Sequence, residues 1–366
     1  MDQTNGAKIH SDSRSSRPAG LKIPIHRRCN LRQALLLLIA AISLSTGLFG
    51  QGITLSGTGY SDPSIIRVAP GQITTLFVTG MKTVLSQPVK ATVMPLPTIL
   101  VGISVTLNQI GSQPTPVPLL SIQQVSVCSN GGTSPPGSTL TADCLITAIT
   151  VEIPFELFSI PPPPLTLVVA PELVVSENGN VSKAFRVVPV SDNVHAINTC
   201  DVFPAPNVTS AGLCVPLVTH ADGTLVTADT PAQPGEEVVI WAFGLGTTTP
   251  TPKTGQASPT PAATLASFLY FQFDFRTNAT PSRPYINPLI LAPIQAPIFA
   301  GLTPGQVGLY QINLRIPSSI PAVGSCGTTC SHTKCTVYNT VQSNLTIDIG
   351  ANASFDGAAI CVQPPQ

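Results

Sequence analysis

The chain has 366 residues, enough for two or three domains that each bury a core, and its 38 Pro and 28 Gly beside only 9% charged residues argue against a helical protein. Its formal charge is zero, but the first 50 residues hold seven Lys or Arg against two Asp, so the remainder carries a net charge of −5. That remainder has no basic stripe, which excludes nucleic acid as an expected partner.

Taken from the N-terminus, the first element is an export segment. Arg27, Arg28 and Arg32 precede the apolar run Ala34 to Gly50, and Gly47 and Gly50 offer cleavage points. Residues 1–52 are therefore expected to be a signal peptide or, if uncleaved, an N-terminal anchor helix. The run is near the lower limit for spanning a bilayer, and residues 34–50 are the one route to a membrane. The protein is expected to be exported, to the extracellular space or the cell envelope.

From Ile53 the chain repeats itself. Pro70 to Met81 aligns without gaps on Pro234 to Leu245, and Ile149-Thr150-Val151-Glu152-Ile153-Pro154 aligns on Ile312-Asn313-Leu314-Arg315-Ile316-Pro317. A third match sets Val181 to Val187 against Val341 to Ile347. Ordered matches at nearly constant spacing argue for duplication. Each segment also alternates: Ile149, Val151 and Ile153 define one face while Thr150 and Glu152 are assigned to water, and Ile103, Val105 and Leu107 follow the same rule. Phe77 and Trp241, the only Trp, hold matching positions and are expected to anchor the core beneath each sheet. The Pro-Gly pairs read as turns, and Pro154 and Pro317 end strands because Pro cannot donate to the ladder.

The fold class is thus all-β, with a β-sandwich domain at 53–192, a connector at 193–225 and a second β-sandwich at 226–366. Pro161 to Pro164 read as a stiff extended crossover within the first.

Outside the leader lie eight cysteines, an even set that reads as disulfides in an exported chain: Cys128, Cys144, Cys200, Cys214, Cys326, Cys330, Cys335 and Cys361. Spacing favours Cys128 with Cys144 and Cys200 with Cys214; the last four pair among themselves in an order the spacing leaves open. Cys326, Cys330, His332 and Cys335 could instead ligate Zn²⁺, but their spacing is irregular and Cys361 would lack a partner. His195 with Asp201, or His220 with Asp222, could form an acid–base pair, yet neither has a nucleophile nearby in sequence. Ser331-His332-Thr333-Lys334, Ser191-Asp192-Asn193 and Lys253-Thr254-Gly255 copy the short elements of serine β-lactamases, in the wrong order and without the helix that chemistry needs. No catalytic, cofactor-binding or metal residue is assigned.

Val68-Ala69-Pro70-Gly71, Asp229 to Glu236, Ala242-Phe243-Gly244-Leu245-Gly246 and Phe299-Ala300-Gly301-Leu302-Thr303-Pro304-Gly305-Gln306-Val307-Gly308-Leu309-Tyr310-Gln311-Ile312-Asn313 resemble the signature of a function-unassigned domain in secreted proteins of Solibacter-type acidobacteria. The resemblance covers nearly all of the chain beyond the leader. It implies a tandem pair of immunoglobulin-like sandwiches of the kind used as surface and adhesion modules, and it transfers no active site. The expected function is non-catalytic binding at the cell surface, with a protein or glycan as partner and no cofactor. The alternative is a structural or accessory component of an envelope assembly, anchored by the N-terminal helix.

Overall fold

Nearly all of the regular secondary structure is β-strand in the structure, a computed structural model that describes residues 52–59, 67–126, 145–158, 170–202, 214–284, 292–331, 334–338, 340–348 and 354–363. The leader with its run at 34–50, Cys128, Cys144, the Pro161 to Pro164 run and His332 lie outside the described residues. Residues Gln51–Gln366 form one compact unit.

In the first half the longer strands are Thr54–Gly59 (β1), Ile73–Thr79 (β2), Ile103–Asn108 (β3), Leu119–Ser126 (β4), Leu145–Glu152 (β5) and Glu172–Glu177 (β6). One sheet runs β1-β2-β5-β4 and ends on Val89–Lys90; the other pairs β3 with β6 and has short edge strands. Leu76, Val78, Ile149 and Val151 from the first meet Ile103, Val105, Leu107, Leu173 and Val175 from the second in one solvent-free core. Burying each such side chain stabilises the fold by about 1.5–3 kcal/mol, so alternation alone selects which face turns inward.

The second half uses Val218–His220 (β7), Glu237–Phe243 (β8), Leu269–Asp274 (β9), Phe299–Leu302 (β10), Tyr310–Arg315 (β11), Val341–Ile347 (β12) and Phe355–Ile360 (β13). Its larger sheet sets β7 and the short strand His195–Ala196 on β8, followed by β11, β10 and two short strands; its smaller sheet is β9-β12-β13. Val238, Ile240, Ile312 and Leu314 face Phe271, Phe273 and Leu345 across a separate core. Two cores, each between two sheets, are consistent with a pair of β-sandwiches.

The duplication extends to single hydrogen bonds. Gly71 N donates to Ile153 O at 2.9 Å, and Gly235 N donates to Ile316 O at 3.0 Å. Ile153 N returns a bond to Gln72 O, and Ile316 N to Glu236 O, both at 2.8 Å. Each turn is braced by a side chain, Ala69 N donating to Gln72 Oε1 at 2.8 Å and Gln233 N to Glu236 Oε2 at 2.6 Å. Both turns need a residue at positive φ, +69° at Gly71 and +82° at Gly235, which is why Pro-Gly recurs.

Four sequence expectations need correction. The third match is displaced by one strand: Val105 pairs with Val175 as Phe271 pairs with Leu345, so β6 is the counterpart of β12, and Phe185–Arg186 takes the place of β13. Apolar alternation is common to all these strands and did not distinguish neighbours. The segment 193–225 is no separate connector, because Val194, Ala196 and Val218 are buried in the second core and its strands pair with β8 as β1 pairs with β2. Trp241 and Phe77 are equivalent as expected but sit half-buried on the outer faces; Ile240 and Ala242, or Leu76 and Val78, point inward instead. Glu152, assigned to water, is 1% exposed because the second half covers that end of β5, while its counterpart Arg315 is exposed.

Ile73, Leu96 and Val307 form a small cluster between the halves, with Phe243 packed against it. Phe155, just past β5, packs against the second core.

Candidate functional site

The smaller sheet of the second half presents an aromatic ledge. Tyr270 on β9, Thr346 on β12 and Phe355 on β13 lie opposite one another in register, so they share the face turned away from the core residues Phe271 and Leu345. Phe268, just before β9, is 77% exposed, and its ring centroid lies 6.4 Å from that of Tyr270. Phe355 is 44% exposed, with the Arg283 guanidinium 5.5 Å from its ring centroid. Farther along the same face the surface closes: Ser282 N donates to Asn344 Oδ1 at 3.0 Å, and Gln272 Nε2 donates to Ala292 O at 2.9 Å. Scattered exposed apolar residues are ordinary; here the exposed Phe268 ring neighbours the half-buried Tyr270 ring, and the exposed Phe355 ring, two strands away across the fully buried Thr346, lies beside a guanidinium. Asn344, which opens the glycosylation-type string Asn344-Leu345-Thr346, lies in this covered region at 0% exposed and is no accessible glycosylation site.

The signal for the ledge was present in the run Phe268-Leu269-Tyr270-Phe271-Gln272-Phe273. A strand with one face in a core and the other in water seldom carries aromatics on both.

A second cluster surrounds His195. Its Nε2 lies 2.8 Å from Asp201 Oδ2, on the short helix Thr199–Val202, and its Nδ1 lies 3.3 Å from Asp356 Oδ2 on β13. The carboxylates are themselves fixed, since Asn198 N donates to Asp201 and Ala196 N to Asp356, each at 2.9 Å. Burial pulls the imidazole down, but hydrogen bonds and charge from Asp201 and Asp356 outweigh it and raise the group to about 9. The expected His195–Asp201 pair therefore exists, but it holds an imidazolium at neutral pH and not a base ready to take a proton. It joins the start of the second half to its last strand.

That arrangement has a pH signature. Because the folded value is raised, the stabilisation is complete below about pH 6.5, the unfolded value, and is lost as pH rises through about 9. Thermal melts between pH 6.5 and 9 should show stability falling by on the order of 2 kcal/mol, and His195→Gln should remove that part of the slope. An unchanged slope in the variant would refute the role given to His195.

His220 pairs with Glu236, not with Asp222: Nδ1 lies 2.5 Å from Glu236 Oε1, and Nε2 donates to Thr230 O at 3.1 Å. The Glu236 hydrogen bond raises His220 above its ordinary value. Glu236 is also the brace of the Pro-Gly turn, so the pair reads as part of that turn. His220, Asp222, Asp229 and Glu236 border an open concavity of about 770 Å³.

Cys200 is bonded to Cys214, as spacing implied, and Cys326 is bonded to Cys361. Cys326 is thus no free thiolate for a zinc ion or a nucleophile. Cys330 and Cys335 stand opposite each other across the hairpin Gly327–Ser331 and Lys334–Tyr338. Disulfides such as Cys200–Cys214 and Cys326–Cys361 belong to an oxidising compartment. Among the described residues no helix is long and apolar enough to cross a membrane.

The β-lactamase-like strings are dispersed into structural roles. Asp192 accepts from Ser191 Oγ at 2.7 Å and from the backbone and hydroxyl of Ser354. Lys253-Thr254-Gly255 docks on the first half, and Ser331 pairs with Lys334 where two antiparallel strands meet. No known family profile and no curated protein matches the chain.

Proposed function

We propose that the chain is an exported, non-catalytic pair of immunoglobulin-like sandwiches that acts by surface contact in the extracellular space or cell envelope. The observation that carries this reading is the ledge of Phe268, Tyr270 and Phe355. Its rings offer apolar faces at little entropic cost, and the Arg283 guanidinium beside Phe355 adds a hydrogen-bond donor, a combination that suits a hydroxyl-rich, ring-bearing partner such as a glycan. The disulfides accord with life outside the cytoplasm.

The test is cosedimentation of the protein, begun at Ile53, with bacterial envelope polysaccharide, before and after protease treatment of the polysaccharide. Replacing Phe268, Tyr270 and Phe355 together by Ala should weaken retention at least about tenfold, the loss of one hot-spot contact or more, with an unchanged circular dichroism spectrum. Retention that survives the triple substitution contradicts the ledge. Retention abolished by protease alone points to a protein partner.

A further inference from the structure

Glu152 reaches across from the first half to a turn of the second. Its Oε2 accepts a hydrogen bond from Gly255 N at 2.5 Å. The turn is closed by Gln256 N donating to Lys253 O at 3.0 Å, and it is gripped at three further points. Leu96 N donates to Gly255 O at 2.7 Å, Phe155 N donates to Thr254 Oγ1 at 2.9 Å, and Thr254 Oγ1 donates to Glu156 Oε2 at 2.6 Å. The seat is tight, since a Cβ at Gly255 would stand 3.2 Å from Pro118. Duplication does not explain this contact, because the counterpart of Glu152 is the exposed Arg315. A carboxyl has been placed where only one half is covered by the other.

We propose that the Lys253–Gln256 turn is a proton-controlled latch between the halves, seated while the Glu152 carboxyl is neutral and released when it ionises. Burial is the main cause: it pushes Glu152 up to about 7, the Gly255 amide pulls against it, and the Glu156 carboxylate pushes the same way. The other ionisable groups at the seat are the Tyr310 phenol on β11, raised by burial and then by the charge of Glu152, and the exposed Lys253 on the turn itself. The folded value lies above the ordinary 4.5, so the closed latch is favoured at low pH and loses that preference as pH rises through about 7. A shift of this size changes the closing equilibrium by roughly 100-fold between pH 4.5 and 8.5. Opening would release the turn and expose the Glu152 carboxyl to water, while the Ile73, Leu96 and Val307 cluster keeps the halves together and neither core unfolds.

Hydrogen–deuterium exchange, corrected for the intrinsic pH dependence of amide exchange, tests this directly. Peptides covering residues 251–258 should lose protection roughly 100-fold between pH 4.5 and 8.5, while peptides of β8 keep theirs. Glu152→Gln keeps an acceptor for Gly255 N and cannot ionise, so its protection should be flat across that range. Thr254→Val removes the hydroxyl that bridges Phe155 N and Glu156, and should loosen the turn at both pH values while keeping the pH dependence. The idea is overturned if the wild-type turn shows no excess pH dependence, if Glu152→Gln retains it, or if β8 opens in step with the turn. Should Glu152→Gln fail to fold, the wild-type and Thr254→Val profiles still decide the matter.

Discussion

Replacing Cys326 and Cys361 together by Ala should lower the unfolding free energy by about 4 kcal/mol, the loop-closure contribution of a bond spanning 35 residues. The loop contains the Gly327–Ser331 hairpin and all of β12, so the unfolded chain gains freedom over a large part of the second half. Beside the disulfide, Cys361 O accepts from Ala232 N at 2.9 Å, and Gln363 N returns a bond to Ala232 O at 2.8 Å; these backbone bonds remain in the variant. These bonds lay residues 361–363 beside the segment that leads into β8. The single Trp241 lies on β8, so urea unfolding followed by its fluorescence reads the affected half. Removing Cys200 and Cys214 should cost less, about 3 kcal/mol, because their loop spans 14 residues. A loss below 1 kcal/mol for the Cys326–Cys361 pair would contradict its role.

Gly71→Ala and Gly235→Ala should differ although the two glycines are equivalent. Each adopts a positive φ that costs an L-residue about 1–2 kcal/mol. At Gly235 nothing else intervenes, since an added Cβ meets only Ser318 at 3.9 Å. At Gly71 the Cβ would overlap the Phe155 ring, and overpacking adds about 1–3 kcal/mol, for a total of about 3. Phe155 also packs on the second core, so its displacement weakens the contact between halves. Adding Phe155→Ala to Gly71→Ala should therefore recover part of the loss, a non-additivity that thermal melts can measure. Equal costs at the two glycines would refute this account of the interface.

The contrast between these glycines shows what the residues disclose and what they do not. The turn, its Gly and the strand after it were legible because they depend on local chemistry: a positive φ, a Pro that stops a ladder, an alternation with one dry face. Ile149, Val151 and Ile153, and likewise Tyr310, Ile312 and Leu314, went to the core as their spacing implied. Trp241 was misassigned because β8 is apolar on both faces, so its pattern does not say which face is the core; Glu152 was misassigned for another reason. Alternation says which residues share a face, but not whether a distant part of the chain covers that face. The partner of His220 was missed because Glu236 is brought to it by the pairing of β7 with β8, a long-range fact. The ledge was half legible, in the doubled aromatics near Phe268, but its rings converge only through the register of β9, β12 and β13.

The central claim is that one all-β unit occurs twice, down to its hydrogen bonds. Scalar couplings across hydrogen bonds in an isotope-labelled sample report each such bond individually. Signals are predicted from Gly71 N to the carbonyl of Ile153 and from Gly235 N to the carbonyl of Ile316, both amides being slow to exchange. A coupling in one half with a freely exchanging amide at the equivalent glycine of the other would contradict the claim.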